Sequence, residues 1–277
     1  MISVAYQGER GAFSESAARR LLDGAIDAKP CRTFETMFAA VRDGEADCCV
    51  APIENSLAGS IHRNYDLLLD SGLTIRGETH LRIVHSLIAP PGIALDDLRR
   101  VYSHPVALAQ CTRFLAAHPH IEAEAVHDTA GAVRMIVERG RADEAAIASA
   151  DAATIYGAQV VAGGIEDHPQ NFTRFLLLAS PDRTLAAKES GDRWKTSIVF
   201  RIPNRPGGLF RALGAFAIHE IDLTKIESRP VEGKPWEYSF HLDLIGRQDD
   251  PKVAQALENL RTMAESVAVF GSYRSRW

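Results

Sequence analysis

The sequence has few cysteines, no excess of basic residues and no long apolar run. Its four cysteines among 277 residues form no C-x-x-C pair, which excludes a disulfide scaffold and a zinc ribbon and indicates reduced thiols. The formal charge is −5, from 31 basic and 36 acidic residues, and this balance lacks the electrostatic footprint of a nucleic-acid-binding protein. No segment has the about 18 apolar residues of a membrane-spanning helix, and the first residues do not resemble a signal peptide. We therefore expect a cytoplasmic protein without nucleic-acid or membrane partners.

Short apolar segments alternate with helical patterns over residues 1–180. One helical pattern begins at Ser14, which we expect to be its N-cap, and another fills residues 105–117. Repeated alternation of strands and helices is typical of an α/β sheet with helices on its faces. The first two thirds of the chain are therefore predicted to form an α/β domain.

The remaining third differs in pattern. Residues 181–193 are polar and charged with little periodicity, and we expect an inter-domain linker there. Residues 194–277 show the order strand, helix, strand, strand, helix, strand, with Val253, Leu257 and Leu260 on one apolar helix face. This order is that of the ferredoxin-like unit, and it predicts a second, smaller domain.

Polar residues follow several predicted strands, where ligands of α/β sheets bind. Residues 8–11 form a glycine-rich turn before a helix, which is either a tight structural turn or an anion-binding loop. Glu54, Asn55 and Ser56 follow a buried strand, and they indicate either a ligand cluster or a helix cap. His104 and residues 128–129 also follow predicted strands, and each indicates either a ligand contact or a helix cap. No spacing of ligand residues indicates a metal site.

Residues 171–175, Asn-Phe-Thr-Arg-Phe, begin an apolar strand with a polar insertion. Arg174 carries a fixed charge and a fork of donors that suits a carboxylate, although an edge-strand arginine in a surface ion pair would give the same pattern. Thr173 supplies a donor that does not readily ionise.

Taken together and in order, these segments resemble the prephenate dehydratase family of the monofunctional bacterial type, with a C-terminal ACT regulatory domain. The segments are residues 8–14, 52–56, 104–105 with 110–111, 128–130 and 171–175, followed by 207–213 and 227–230 in the second domain. Two positions depart from the family pattern. Val106 stands where glutamine is usual, and Gly208 stands where alanine is usual.

The resemblance implies a two-lobed catalytic domain like type 2 periplasmic binding proteins over residues 1–180, a linker over 181–193 and an ACT domain over 194–277. It implies conversion of prephenate to phenylpyruvate, water and CO2 in L-phenylalanine biosynthesis, without metal or cofactor. Thr173 is implied as the catalytic residue, and Glu54, if protonated in a dry cleft, is an alternative proton source. The expected substrate contacts are Asn55, Ser56, Thr129, Arg174, Phe175, His104 and Gly11.

The resemblance also implies feedback inhibition by L-phenylalanine bound where ACT domains pair, so we expect a homodimer or a homotetramer. The expected effector contacts are Asn204, Gly207, Gly208, Leu209, Glu227, Ser228 and Arg229. Two rival functions remain. A dehydratase acting on arogenate would carry the same motifs, and a non-catalytic amino-acid-sensing protein would suit a binding-protein fold joined to an ACT domain.

Overall fold

The computed structural model describes residues 1–185, 188, 191–231, 233 and 236–275. Four positions of the expected linker (186, 187, 189 and 190) and two of the expected second domain's last residues (276 and 277) lie outside the described residues. The chain divides into two compact units. The first comprises Met1–Ser71 and Thr79–Leu177, and the second comprises Gly72–Glu78 with the described residues from Leu178 onward.

Strands and helices alternate along most of the chain. The strands are β1 Ile2–Gln7, β2 Ile26–Cys31, β3 Cys48–Asn55, β4 Gly59–Ser60, β5 Thr74–Arg82, β6 Ser86–Ala89, β7 Arg100–Ser103, β8 Glu122–Ala125, β9 Glu144–Ala148, β10 Gln159–Gly163, β11 Phe172–Ala179, β12 Arg193–Arg201, β13 Leu223–Pro230, β14 Tyr238–Ile245 and β15 Ser266–Ser275. The helices are α1 Phe13–Leu21, α2 Phe34–Arg42, α3 His62–Ser71, α4 Pro105–Ala109, α5 Thr112–Ala117, α6 Thr129–Arg139, α7 Ala150–Tyr156, α8 Gly208–Ala217 and α9 Pro251–Arg261, with a 3-10 turn at Leu95–Asp97.

Two sheets build the α/β part of the fold and give it two lobes. The first has the order β2-β1-β3-β11-β5, with β4 paired to β3, and the second has the order β10-β6-β9-β7-β8. In the first, β1 pairs in parallel with β2 and β3, so the carboxyl ends of these strands lie at one edge. In the second, β9 pairs in parallel with β7 and antiparallel with β6. The predicted two-lobed α/β class is confirmed, with mixed sheets.

The second unit contains the predicted βαββαβ fold. Its sheet has the order β13-β14-β12-β15, and the pairs are antiparallel. Helices α8 and α9 cover one face of this sheet, where Phe200, Phe216, Leu244 and Leu257 are buried in a single core. This arrangement leaves β13 at one edge of the sheet.

Two details of the helix predictions are wrong. Helix α1 begins at Phe13 after Ala12, so Ser14 lies within the first turn and does not cap it. The residue at the N-cap position is Ala12, which has no side-chain capping bond, and the Glu15 carboxylate of the first turn accepts the Gly11 N–H at 2.8 Å. The single helix expected over residues 105–117 is two helices, which are separated at Gln110 and Cys111.

None of the helices in the described ranges is long and apolar enough to cross a membrane.

Candidate active site

The first unit contains a cavity of about 520 Å³. Its wall includes the first residues of four helices. Phe13 and Ser14 come from α1, Phe34 from α2, and Thr129 from α6, while His104 precedes α4. Helix N-termini expose unsatisfied N–H groups and carry a partial positive charge. The cavity is therefore suited to an anion.

Thr173 lies on the cavity wall at the start of β11 and is 8% exposed. Its Oγ1 accepts a hydrogen bond from Asn55 Nδ2 at 2.9 Å. Nothing in the described part of the chain accepts the hydrogen of the Thr173 hydroxyl. This hydroxyl is thus held through its oxygen, and its proton is available to a group bound in the cavity.

Asn55 connects the two segments that carry the site. Its Nδ2 also donates to Asn171 Oδ1 at 2.8 Å and to the Phe172 carbonyl at 3.2 Å. Its Oδ1 accepts from the backbone N–H groups of Leu57 and Ala58. Because Oδ1 faces these two N–H groups, the two hydrogens of Nδ2 face the three acceptors, which gives the Asn55 amide one orientation relative to Thr173.

Five of the expected catalytic and substrate residues line the cavity, and they come from both lobes. They are Asn55, His104, Thr129, Thr173 and Phe175. His104 Nδ1 accepts the Val106 N–H at 3.2 Å, and burial, with nearby His127, lowers the pKa of His104. His104 is therefore a neutral ring whose proton is on Nε2.

Glu54 and Arg174 do not line the cavity. For Arg174 the reason is the pleat of β11, since successive side chains of a strand point to opposite faces. Thr173 and Phe175 face the cavity, so the buried Arg174 between them is turned to the other side of the sheet. The expected roles of Arg174 as a carboxylate ligand and of Glu54 as a proton source stay predictions.

Ser56 and Gly11 also lie outside the cavity wall, and both have structural contacts. Ser56 joins β3 to the start of β11, since its Oγ donates to the Gln170 carbonyl at 2.9 Å and accepts the Phe172 N–H at 3.0 Å. Gly11 has its N–H bonded to Glu15 and its carbonyl bonded to Ser149 Oγ at 2.7 Å. Of the two alternatives for residues 8–11, the tight structural turn fits Gly11.

We predict that Gly11→Ala strongly destabilises the protein. Gly11 has a φ of +85°, and an added Cβ would lie 2.7 Å from Ala152 Cα. Left-handed backbone costs an alanine about 1–2 kcal/mol, and overpacking adds about 1–3 kcal/mol. The matched control is Gly24→Ala, which has a φ of +78° and nothing within 4 Å. Urea-induced unfolding should show a clearly larger loss for Gly11→Ala, and equal losses would contradict a close approach at Ala152.

Several cavity residues were not predicted from the sequence as site residues, among them Arg32, His85 and Gln110. Arg32 follows β2, and its guanidinium has no ion pair or hydrogen bond within the described residues. The two carboxylates of the wall are engaged elsewhere. Glu35 pairs with Arg63 at 2.6 Å, and Asp128 accepts the Gly131 N–H. Arg32 therefore supplies a positive charge at the cavity wall that is not held in an ion pair with any described residue.

The second unit has a smaller cavity of about 200 Å³ beside the start of α8. Four of the expected effector residues line it: Asn204, Gly207, Gly208 and Leu209. Gly207 is the N-cap of α8 with a φ of 73°, the left-handed region that favours glycine. The other three, Glu227, Ser228 and Arg229, lie on edge strand β13 and do not line this cavity.

The described residues contain no group of three or more His, Cys, Asp or Glu side chains suited to a metal ion.

A two-lobed α/β fold with an anion-binding cavity, joined to an ACT-type fold, is the architecture of a regulated enzyme acting on a small acid. Comparison with known families identifies the kind of enzyme. The prephenate dehydratase family model matches residues 4–183, and the ACT domain model matches residues 196–262. The chain belongs to the prephenate dehydratase family, and it is therefore a dehydratase, a lyase.

Individual relatives extend over nearly the whole chain. The arogenate dehydratase/prephenate dehydratase 2 of Arabidopsis thaliana, a chloroplastic protein, is 46% identical over 98% of this chain and 72% of its own length. The prephenate dehydratase of Arthrobacter aurescens, solved in complex with L-Phe, has a TM-score of 0.89 at 32% identity over 99% of this chain and 90% of its own. GqqA, described as a novel type of quorum quenching acylase, has a TM-score of 0.88 at 36% identity, covering 99% and 98% of the two chains.

Proposed function

We propose that the protein is a prephenate dehydratase, which converts prephenate to phenylpyruvate, CO2 and water in L-phenylalanine biosynthesis. The observation that carries this proposal is the Thr173 hydroxyl, which is held at its oxygen by Asn55 while its proton is available in an anion-binding cavity. Prephenate is a dianion with a ring hydroxyl, and it needs both features.

The reaction breaks two bonds and forms an aromatic ring. The bond from the ring to its carboxylate breaks to release CO2, and its electron pair enters the ring. The C–O bond to the ring hydroxyl breaks, and the departing oxygen takes up a proton that comes from solvent and leaves as water. Thr173 donates a hydrogen bond to that oxygen as negative charge develops on it, which stabilises the transition state. Its alcohol pKa lies too far above working pH for full proton transfer.

The cavity wall supplies the positive potential that two substrate carboxylates require. Four helix N-termini and the Arg32 guanidinium contribute to it. We assign Arg32, rather than Arg174, as the substrate's cationic partner. Asn55, His104 and Thr129 are proposed polar contacts, and Phe175 is a proposed apolar contact.

Arg32 also favours prephenate over arogenate. The two substrates differ where prephenate has a keto group and arogenate has an ammonium group. A guanidinium beside this end of the substrate repels an ammonium and attracts a carboxylate with its neighbouring keto oxygen. The exposed position of Arg32 weakens this effect by solvent screening but does not reverse its sign.

Arg32→Gln is expected to raise the KM for prephenate about tenfold, because one charge-assisted contact is lost. The same substitution should reduce the ratio of kcat/KM for prephenate to kcat/KM for arogenate. The matched control is Arg42→Gln, since Arg42 forms an exposed ion pair with Asp43 outside the cavity. An unchanged KM and an unchanged ratio in Arg32→Gln would remove Arg32 from the substrate site.

We propose that L-phenylalanine inhibits the enzyme by binding in the cavity beside α8. Asn204, Gly207, Gly208 and Leu209 are the proposed contacts there. Glu227, Ser228 and Arg229 are on an edge strand, and the outer edge of a sheet is a template for pairing with a second chain. This position supports a homodimer or homotetramer in which paired ACT domains bring these three residues to the effector.

The proposed domains are residues 1–180 for catalysis, 181–193 for the linker and 194–277 for regulation. A cytoplasmic location is proposed because the cysteines are free thiols, which suits a reducing compartment.

The experiment that tests the proposed function is an assay of phenylpyruvate formation from prephenate, with and without L-phenylalanine, using the full chain. Turnover that L-phenylalanine suppresses is the expected result. Turnover of arogenate but not prephenate would assign the protein to the arogenate-specific members. Absence of both activities would favour the amino-acid-sensing alternative.

A further inference from the structure

A chain of amide groups connects Thr173 to the buried ring of His85. It starts at Asn55, whose Oδ1 accepts two backbone N–H groups, so that its Nδ2 must face Asn171 Oδ1 and Thr173 Oγ1. Asn171 Oδ1 is therefore an acceptor, and Asn171 Nδ2 is left to donate to Gln110 Oε1 at 2.9 Å. The backbone N–H groups of residues 57 and 58 thus determine which end of each side-chain amide is the oxygen and which is the nitrogen, while the bonds further along the chain of amides hold these side chains in place.

The same argument determines which ring nitrogen of His85 carries the proton. Gln110 Oε1 has no hydrogen to donate, and it lies 3.0 Å from His85 Nε2. The ring nitrogen must then be the donor, which places the proton on Nε2. His85 is 2% exposed, and burial lowers its pKa. The ring is neutral, and Nδ1 is left as a bare acceptor.

Stability alone does not account for an imidazole in this place. Nδ1 is buried without a hydrogen-bond partner among the described residues, which is unfavourable. The ring packs edge-on against Phe13 at a centroid distance of 5.7 Å, and an aliphatic side chain could make a similar packing contact. The bond to Gln110, by contrast, requires a hydrogen-bond donor.

The bond from His85 matters for the site because Gln110 lines the cavity, and few other contacts hold its side chain. Its Nε2 has only a long contact of 3.4 Å to Asn55 Oδ1, so Oε1 carries the two short bonds that hold the side chain, one from Asn171 and one from His85. Without the His85 donor, one short bond remains, and the amide is free to turn into the cavity.

We propose that His85 is a positioning residue for the dehydration, because its Nε2–H holds Gln110 and, through Gln110 and Asn171, maintains the Asn55 amide that orients the Thr173 hydroxyl. This inference rests on the proposed function. His85 acts through these amides and transfers no proton.

The test compares His85→Gln with His85→Leu in the full-length enzyme. A glutamine side chain can place its Nε2–H near the lost ring donor, whereas leucine fills the space without a donor. The leucine variant should lose about tenfold in kcat, since small misplacements of reacting groups have effects of this order or larger. Its KM should change by less than about threefold, the pattern for an interaction made in the transition state. The glutamine variant should recover most of the loss, although thermal unfolding should not favour it over leucine.

Equal losses in the two variants, or an unaffected leucine variant, would overturn the positioning role. A readout independent of activity separates this inference from the proposed function. The ¹⁵N NMR spectrum of His85 in the wild-type protein should show a neutral ring with its proton on Nε2. A ring protonated on Nδ1 would overturn the inference even in an enzyme that converts prephenate. A wild-type protein without turnover of prephenate would refute the proposed function. The NMR result would still show whether the amide groups between Thr173 and His85 are oriented as inferred.

Discussion

Replacing Thr173 with valine should lower kcat for prephenate between about 100- and 1,000-fold, the loss typical of a removed transition-state donor. Valine has nearly the shape of threonine, so the packing of this buried position is preserved. The substitution removes the hydrogen that stabilises the departing hydroxyl. The KM should change little, because the bond to the leaving oxygen strengthens only as charge develops. Phenylpyruvate formation under saturating prephenate measures the effect.

Thr173→Ser is the matched control, since serine keeps the hydroxyl and loses only a methyl group. It should retain most of the activity. In the valine variant, Asn55 Nδ2 loses one acceptor but keeps Asn171 Oδ1 and the Phe172 carbonyl, so the thermal unfolding temperature should fall only modestly. Full activity in Thr173→Val would show that another group assists the leaving oxygen. Equal loss in serine and valine would indicate a packing effect.

The catalytic strand illustrates what sequence reasoning can supply and what it misses. The segment of residues 171–175 was correctly placed at the start of a strand, and its motif pointed to Thr173. The motif does not by itself separate Thr173 from Arg174, whereas the pleat of a strand places neighbouring side chains on opposite faces. The period of two in β11 predicts that Thr173 and Phe175 share a face without Arg174.

Other parts of the site depend on contacts between distant segments, which local patterns do not contain. Asn55 and Asn171 are 116 residues apart and meet because β3 and β11 are neighbours in the first sheet. Arg32 was not predicted because β2, which it follows, was not recognised as a strand. This strand includes Lys29 and Pro30 and lacks the apolar alternation typical of a strand. His85 lies between β5 and β6, where no motif marks it.

The split of the predicted helix at Gln110 and Cys111 has the same kind of cause. The Asp167 carboxylate caps the start of α5 from a distant loop, accepting the Thr112 N–H at 3.0 Å and the Arg113 N–H at 2.9 Å. Gln110 is held by His85 and Asn171. Periodicity indicated a continuous helix, and tertiary hydrogen bonds divided it. The βαββαβ order, by contrast, is encoded in short local patterns, and it was predicted correctly.

Gly208→Leu should raise the L-phenylalanine concentration needed for half inhibition about 100-fold, because the new side chain occupies the effector cavity. Gly208 is the first residue of α8 and lines a cavity of about 200 Å³. An added Cβ would already lie 3.3 Å from the Pro203 carbonyl oxygen and 3.6 Å from Ile202 Cδ1. Overpacking of this kind costs about 1–3 kcal/mol, and every 1.4 kcal/mol is a tenfold change in affinity. Titration of L-phenylalanine by calorimetry, together with inhibition of prephenate turnover, measures the shift.

Gly214→Leu provides the control on the same helix. An added Cβ at Gly214 meets nothing within 4 Å, so leucine is accommodated there without entering the cavity, and sensitivity to L-phenylalanine should be preserved. If both substitutions abolish inhibition, the common cause is damage to α8 and not occupation of the cavity. If Gly208→Leu binds L-phenylalanine as tightly as the wild type, the effector binds elsewhere. The edge strand β13, which carries Glu227 and Arg229, is then the part of this unit to substitute next. The two variants introduce the same residue on the same helix and differ only in position. A loss of inhibition in Gly208→Leu alone therefore places the effector in the cavity beside α8.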